Sequence, residues 1–221
     1  MRKNYIQAGV RSEDNRTFIE NDWYSYGIPS NVNFADNVYL DTSYGFAAFH
    51  SEQSEGLFID NASGCYDRTS FIVGKTGKVK VGKFSVLNGT VIVCNKEVTI
   101  GDHCLIAWSS VITDTWLSSS ILSLRQSKLK QAAQDPLRGF PFVGESLPVV
   151  LEDNAWVGFG AIIMPGVRLG KGCVVGSKTI ITQDVPPYAI VVGDPAKIVK
   201  YLEPDDTEEV KVRAIDKYVQ K

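Results

Sequence analysis

In the last third of the chain, an aliphatic residue returns at every sixth position. Glycine directly follows three of these aliphatics, at Gly158, Gly170 and Gly176. A helix rotates by about 100° per residue, so a period of six would scatter the aliphatics over different faces. A short strand plus a turn accommodates six residues, and three such units close a triangular coil. The spacing therefore predicts a parallel β-solenoid whose core contains Leu151, Val157, Ile163, Leu169, Val175 and Ile181.

The same rhythm extends towards the N-terminus. One run consists of Val81, Leu87, Cys94, Ile100, Ile106 and Ile112, with a one-residue slip before Cys94. An earlier run consists of Ile28, Phe34, Leu40 and Phe46, whose larger side chains suit a terminal coil. Between the runs, Phe58 and Gly64 keep the spacing weakly. The pattern predicts an all-β solenoid over residues 28–200, with about five to six coils.

Two segments interrupt the repeat, and we expect both to leave the solenoid as excursions. Residues 47–57 are short and polar, whereas residues 117–148 are longer and contain a helical pattern over 121–134. A long excursion from a compact scaffold often carries function. The longer segment is therefore the expected specificity loop.

The two ends of the chain differ from the repeat. Residues 1–27 are expected to form a cap in which Trp23, Tyr24 and Tyr26 cover the first coil. Residues 201–221 are expected to form a short helical tail, because Val212, Ile215 and Val219 share one side of a helix. That helix would be capped by Asp205 or Asp206.

Composition limits the classes of partner. The 221 residues carry a net charge of −2, which provides no basic field for nucleic acid. No stretch has the apolar length of a membrane span, and the first residues lack the apolar core of a signal peptide. Cys104 and Cys173 occupy small positions of the repeat, so reduced, buried thiols are expected. These features predict a cytoplasmic protein.

Residues 154–199, NAWVGFGAIIMPGVRLGKGCVVGSKTIITQDVPPYAIVVGDPAKIV, resemble the closing repeats of hexapeptide-repeat acyltransferases. The resemblance is greatest to the maltose and galactoside O-acetyltransferases and to sugar acetyltransferases of surface-polysaccharide biosynthesis. It is strong over residues 150–200, fair over 79–116 and weak elsewhere. It implies a left-handed parallel β-helix, a homotrimer, acetyl-CoA as the acetyl donor, and active sites between neighbouring subunits.

The resemblance also implies a CoA surface along the later coils. The residues that map to it are Trp156, Gly158, Gly160, Ala161, Gly176 and Ser177. Glycine allows close backbone approach to a ligand, but coil geometry also requires glycine at the second position of a repeat. Both interpretations therefore remain open for Gly158 and Gly176. Lys178 and Lys197 are expected to meet the nucleotide phosphates.

The base that removes the acceptor's proton is missing from its usual place. Histidine commonly fills this role because it titrates near neutral pH. The position that corresponds to the family's histidine is occupied by Leu117, or by Trp116 with a one-residue shift. Neither side chain can accept a proton.

Three other residues are candidates for the catalytic role. His50 and His103 are the two histidines of the chain, and His50 is the first candidate base. His103 follows it, with a solvated corner residue as the competing interpretation. Asp114 belongs to the repeat that bears acceptor-contacting groups in the family, and it is expected to orient the acceptor. An ordinary turn aspartate is the alternative for Asp114.

The sequence therefore predicts an acetyltransferase that moves an acetyl group from acetyl-CoA to a hydroxyl or amino group of a saccharide. An amine acceptor would relax the need for a strong base. The alternative is a catalytically degenerate β-helix that serves as a binding or assembly module. Two histidines cannot supply the three ligands of a zinc carbonic anhydrase, so no metal is expected.

Overall fold

The computed structural model describes residues 16–134 and 144–204. These residues contain a 3₁₀ helix (Ser43–Phe46), one α-helix, α1 (Leu122–Gln134), and nineteen strands. In chain order the strands are β1 (Val32–Phe34), β2 (Tyr39–Leu40), β3 (Leu57–Ile59), β4 (Gly64–Tyr66), β5 (Ser70–Val73), β6 (Lys78–Val81), β7 (Val86–Asn88), β8 (Val91–Cys94), β9 (Glu97–Ile100), β10 (Leu105–Ile106), β11 (Val111–Thr113), β12 (Val149–Leu151), β13 (Trp156–Val157), β14 (Ile162–Ile163), β15 (Arg168–Leu169), β16 (Val174–Val175), β17 (Ile180–Ile181), β18 (Ala189–Val192) and β19 (Lys197–Tyr201).

The strands form three sheets, which are the three faces of a left-handed parallel β-helix. Face 1 contains β1, β3, β6, β9, β12 and β15; face 2 contains β2, β4, β7, β10, β13, β16, β18 and β19; face 3 contains β5, β8, β11, β14 and β17. The chain visits the faces in the order 1, 2, 3, and each circuit is one coil. Six coils begin on face 1, so coil 4 starts with β9 and coil 5 with β12.

The hexapeptide prediction of the core is confirmed. Each of the six aliphatics from Leu151 to Ile181 is at most 1% exposed. Most of these strands are two residues long, so one side chain of each strand points inwards and its neighbour points outwards. Val157 pairs with Val175 of the next coil, which stacks the inward residues in rows along the axis.

The inward position that the spacing predicts at Phe58 is wrong by one residue. Phe58 is partly exposed, whereas Leu57 and Ile59 on either side of it are fully buried. Because alternate residues of a strand share a face, a strand of three residues can bury both ends and expose its centre. In the first coil Phe34 is likewise only partly buried, although Leu40 and Phe46 are each 2% exposed.

Residues 47–57 do not leave the solenoid, so that predicted excursion is wrong. Phe49 forms a parallel bridge with Val73, and the His50 amide donates to the Val73 carbonyl oxygen at 2.8 Å. Phe46 and Phe71 stack with their ring centroids 5.5 Å apart. This packing holds the segment against coil 2 as the third side of coil 1.

The chain does leave the solenoid between β11 and β12, as residues 117–134 and 144–148 show. The predicted helix over 121–134 is confirmed by α1, none of whose residues is buried. Residues 135–143 lie outside the described part of the chain.

The first coil is covered differently from the prediction. Trp23 is 64% exposed and Tyr26 is 53% exposed, whereas Ile19 is buried in the core. Trp23 stacks on Tyr44, and the Asp22 carboxylate accepts the backbone N–H of Ser43 at 2.8 Å. An aliphatic side chain fits inside the triangular coil, while the larger aromatic rings pack on its outer surface. Residues 1–15 lie outside the described part.

The solenoid ends in a hairpin that the repeat does not predict. β19 runs antiparallel to β18, with Val192 opposite Lys197. The Gly193 amide donates to Thr179 Oγ1 at 3.0 Å, which holds the turn of the hairpin beside coil 6. The predicted helix of the tail begins at residue 205 and lies outside the described residues.

Candidate functional site

The long excursion leaves and re-enters the solenoid through a short antiparallel ladder, which we call the neck (residues 114–117 and 144–147). Thr115 and Ser146 form its bridge. The Trp116 amide donates to the Glu145 carbonyl oxygen at 3.2 Å, and the Leu147 amide donates to the Asp114 carbonyl oxygen at 2.7 Å. The neck stands at the corner between faces 3 and 1, immediately after β11.

The two strands of the neck approach closely opposite Leu117. A Cβ atom added to Gly144 would lie 2.9 Å from the Ser118 amide nitrogen and 3.1 Å from that of Leu117, so glycine alone fits without a shift. Leu117 has a φ of 61°, which is strained for a bulky residue. The position that corresponds to the family's histidine is therefore a constrained backbone site with a glycine opposite it.

The structure assigns Asp114 a structural role, which contradicts its expected contact with the acceptor. Its side chain is fully buried. One carboxylate oxygen accepts the Asn95 amide at 2.8 Å, and the other accepts the Lys96 and Glu97 amides at 2.7 Å each. The Cys94 thiol also contacts this second oxygen, at 3.4 Å. Asp114 thus fixes the turn between β8 and β9 and offers no surface to a substrate.

The structure does not bring the two histidines to the neck. His103 is exposed at the corner between faces 1 and 2, where its ring stacks on Phe84 with centroids 5.1 Å apart. This is the solvated corner position named as its alternative. His50 is exposed on coil 1, three coils before the neck. Within one chain, His50, His103 and Asp114 do not form a constellation.

The residues predicted to bind CoA lie along face 2 and its corner with face 3, on coils 5 to 6 and the closing hairpin. Trp156 is 50% exposed and points outwards from face 2. Gly160 has open space beside it, since an added Cβ would meet no atom closer than Lys178 Cγ at 3.8 Å. Ser177, Lys178 and Lys197 are exposed. We call this set of solvent-facing groups the strip.

Three of the predicted CoA residues have roles inside the solenoid. A Cβ added to Gly158 would lie 2.7 Å from the Ser177 amide nitrogen, and one added to Gly176 would lie 2.7 Å from Val192 Cγ1. Stacking of coil 6 on coil 5 therefore accounts for glycine at 158, and packing of the closing hairpin against coil 6 accounts for it at 176. Ala161 is fully buried; its amide donates to Gly158, and its carbonyl accepts the Val111 amide at 2.9 Å. The prediction of cofactor contact is wrong for the Ala161 side chain. Ala161 lies four positions after the inward aliphatic Val157, and the residue at this place in the repeat also faces the core.

Aromatic side chains continue the strip towards the earlier coils. Trp108 and Phe159 stack nearly parallel, with ring centroids 5.6 Å apart, and both are more than 40% exposed. The Trp108 indole N–H donates to the Asp67 carboxylate across Gly89. Stacked aromatic rings that remain open to solvent are typical of ligand or subunit contacts.

The cysteines are unsuited to nucleophilic chemistry. All four are free and buried, as expected for Cys104 and Cys173. Burial raises the pKa of the Cys104 thiol to about 11 and that of Cys173 to about 12. Burial likewise raises the pKa of the Cys65 thiol. For the Cys94 thiol, burial and the negative charge of Asp114 both raise the pKa. The thiolate, which is the nucleophilic form, is thus disfavoured at each position.

Residues 16–134 and 144–204 contain neither a metal-binding cluster nor a membrane-spanning helix. No group of three or more histidine, cysteine, aspartate or glutamate side chains in this part could hold a metal ion. No helix in it is long and apolar enough to cross a membrane.

Comparison with known proteins places the later coils in a family. Residues 148–183 match the model of the bacterial transferase hexapeptide, which consists of six repeats. Residues 148–183 are hexapeptide repeats, and the fold of the chain is a left-handed parallel β-helix. A hexapeptide-repeat acetyltransferase of Vibrio cholerae, solved with acetyl coenzyme A, is 27% identical, with a TM-score of 0.53 over 73% of this chain and 76% of that one.

Two other relatives extend the comparison. A 2,3,4,5-tetrahydropyridine-2,6-dicarboxylate N-acetyltransferase of Staphylococcus aureus is 46% identical over 71 residues, which are 32% of this chain and 30% of the relative. The chain spans less than a third of the length of this curated relative. The N-acyltransferase AntD of Bacillus cereus, solved with dTDP and coenzyme A, has a TM-score of 0.59, 15% identity, and coverage of 85% of this chain and 91% of its own, which shows a shared fold.

The sequence pattern did not predict two residues that the neck brings to the candidate site, Glu145 and Ser146. Glu145 lies opposite Trp116, and Ser146 Oγ accepts a hydrogen bond from Asn95 Nδ2 at 3.2 Å. Glu145 directly follows a glycine and lies four residues before β12. Its position at the closing end of the excursion is a signal that could have identified it.

Proposed function

We propose that this protein is an acyltransferase that moves an acetyl group from acetyl-CoA to a hydroxyl or amino group of a saccharide. The observation that carries the proposal is the likeness to the Vibrio cholerae acetyltransferase, which was solved with acetyl coenzyme A. This likeness spans most of both chains. The Staphylococcus aureus relative is named an N-acetyltransferase, which supports an amine as one class of acceptor.

The exposed strip on the later coils is the proposed site of CoA. Trp156 would supply an apolar wall, and the space beside Gly160 would admit the thin pantetheine arm. Ser177 lies one coil further on, next to the exposed cation Lys178. Ammonium groups bind phosphate as point charges, so Lys178 and Lys197 would meet the nucleotide end.

The chemistry of the three faces supports a homotrimer. The outward row of face 1 runs through Asn33, Phe58, Lys80, Thr99, Val150 and Arg168. Over the parallel strands β2 to β18, the rows of faces 2 and 3 contain no charged residue; they are Tyr39, Gly64, Val86, Leu105, Trp156, Val174 and Ile190, and Ser70, Val91, Val111, Ile162 and Ile180. Two different apolar surfaces on one chain suit a head-to-tail contact, which closes into a ring.

The tryptophans support the same conclusion. All four are at least 43% exposed, although tryptophan is on average a highly buried residue. A second subunit or a ligand would remove this apolar surface from water. In such a trimer, the neck of one subunit could face the CoA strip of its neighbour, which would complete a site that one chain lacks.

The proposed activity is tested by mixing the purified protein with acetyl-CoA and a panel of sugars and amino sugars, and by measuring free CoA thiol. Release of CoA that depends on one class of acceptor is the expected result. A protein that binds acetyl-CoA but releases no CoA with any acceptor would instead favour the assembly-module alternative.

Lys197→Glu is expected to weaken CoA binding by about tenfold at low salt, because a favourable phosphate contact becomes repulsive. The effect should shrink as salt is added, since these charges are exposed. Calorimetry with CoA measures it. Lys80→Glu on face 1 makes the same charge change away from the strip and serves as the control. Equal affinities for both variants would remove Lys197 from the site.

Light scattering is expected to give a mass three times the 24.3 kDa of one chain. Ile162→Glu, which places a charge in the apolar row of face 3, should dissociate the assembly. Thr99→Glu on face 1 introduces the same side chain at another outward strand position and should leave the mass unchanged. A monomeric parent protein would contradict the trimer.

A further inference from the structure

We propose that Glu145 is the general base of the acetyl transfer and that the preferred acceptor is therefore an amine. The inference rests on the proposed acetyltransferase function and deepens it. It assigns the proton-accepting role to the strand opposite the one in which the family's histidine would stand.

The geometry of the neck carries this assignment. The bridge between Thr115 and Ser146 sets the register, so Trp116 faces Glu145 and Leu117 faces Gly144. Residues directly opposite in an antiparallel pair have Cβ atoms about 4.5–5.5 Å apart and side chains on the same side. The Glu145 side chain is therefore expected on the same side of the neck as that of Trp116, which is one of the two positions that correspond to the family's histidine.

Glu145 is also chemically available. Its side chain is exposed and makes no hydrogen bond or ion pair with any residue of 16–134 or 144–204. Two other glutamates of this part of the chain do form ion pairs, Glu52 with Lys75 and Glu152 with Arg168. Asp114, the other carboxylate of the neck, is fully buried and occupied by backbone amides.

The neck is held firmly enough to position a base. Ser146, the next residue, is tied to Asn95 of the turn between β8 and β9, and Asp114 fixes that same turn. Gly144, on the other side, is packed against the backbone of Leu117 and Ser118. Glu145 therefore extends from a backbone anchored at both neighbours, whereas no residue of α1 is buried.

The reaction assigned to Glu145 favours nitrogen as the nucleophile. A neutral acceptor amine forms a C–N bond with the thioester carbonyl carbon, and its nitrogen becomes positively charged. Glu145 takes a proton from that nitrogen, the C–S bond breaks, and the leaving CoA thiolate receives the proton from Glu145. A carboxylate is a weak base, but the positively charged nitrogen of this intermediate is more acidic than an ordinary ammonium group. A hydroxyl acceptor would need a stronger base before it could attack.

Glu145→Gln tests the role, because it keeps the shape of the side chain and removes its ability to accept a proton. We expect kcat/KM for amino sugars to fall by about 100- to 10,000-fold while the Kd of CoA stays within twofold. Glu55→Gln changes an exposed glutamate away from the neck and should match the parent protein.

A second variant separates chemistry from structure. Adding Trp116→His to Glu145→Gln puts an imidazole on the opposite residue of the ladder, and it should recover at least tenfold of the lost rate. A Glu145→Gln protein within threefold of an active parent, or faster transfer to hydroxyls than to amines, would overturn the inference but leave the acetyltransferase function intact. A parent that transfers acetyl groups to no acceptor would overturn both.

Discussion

Asp114→Ala is expected to lower the free energy of unfolding by about 4 kcal/mol. The change removes the carboxylate that accepts three successive backbone amides, from Asn95, Lys96 and Glu97. These donors would be left without a partner, and water has little access because Asp114 is fully buried. Urea denaturation followed by circular dichroism measures the loss.

The matched control is Asp36→Ala, which removes an exposed aspartate from the first coil and should change stability by less than about 0.5 kcal/mol. A loss below about 1 kcal/mol for Asp114→Ala would contradict the structural role. A fully stable variant that lost acetyl transfer alone would return Asp114 to the acceptor-binding role predicted from the resemblance.

Gly158→Ala is expected to cost about 2–3 kcal/mol, because the new methyl group meets the backbone of the next coil. Its Cβ would lie 2.7 Å from the Ser177 amide nitrogen and 2.9 Å from the Val175 carbonyl oxygen. Coils 5 and 6 must separate to admit it, which weakens hydrogen bonds on both sides. The midpoint of urea unfolding measures the effect.

Gly160→Ala makes the same substitution two residues away and provides the comparison. Space is open there, although the φ of 62° costs an alanine about 1 kcal/mol. Ser109 and Lys178 hold similar φ values at the same corner of neighbouring coils, so a side chain is tolerated. Equal losses for the two variants would show that coil stacking is not what requires glycine at 158.

For Gly158 and Gly176 the sequence could predict the residue type but not the reason for it. The spacing located Gly158 and Gly176, but coil contact and cofactor contact require the same residue type. The positions of Ser177 and Val192 on the adjacent coil and hairpin account for both glycines. The same distinction decides Ala161, whose small size suggested ligand access and whose burial shows a place in the core.

The sequence by itself determined the solenoid, the inward residues of the later coils and the helix of the long excursion. A period of six is local and repeated, so each unit specifies the same strand and turn, and errors do not accumulate. Where the period weakens, at Phe58 and over residues 47–57, the predictions were wrong. In both places, packing against the neighbouring coil determines which residues face inwards.

The tertiary structure alone decided the surroundings of the candidate site. Glu145 and Trp116 are separated by a long excursion, and only the closing of that excursion places them opposite each other. Asp114 likewise meets the backbone of Asn95 to Glu97 because one coil lies above another. Contacts between coils depend on three-dimensional stacking, and a one-dimensional repeat predicts which residues face inwards but not which groups meet at a corner.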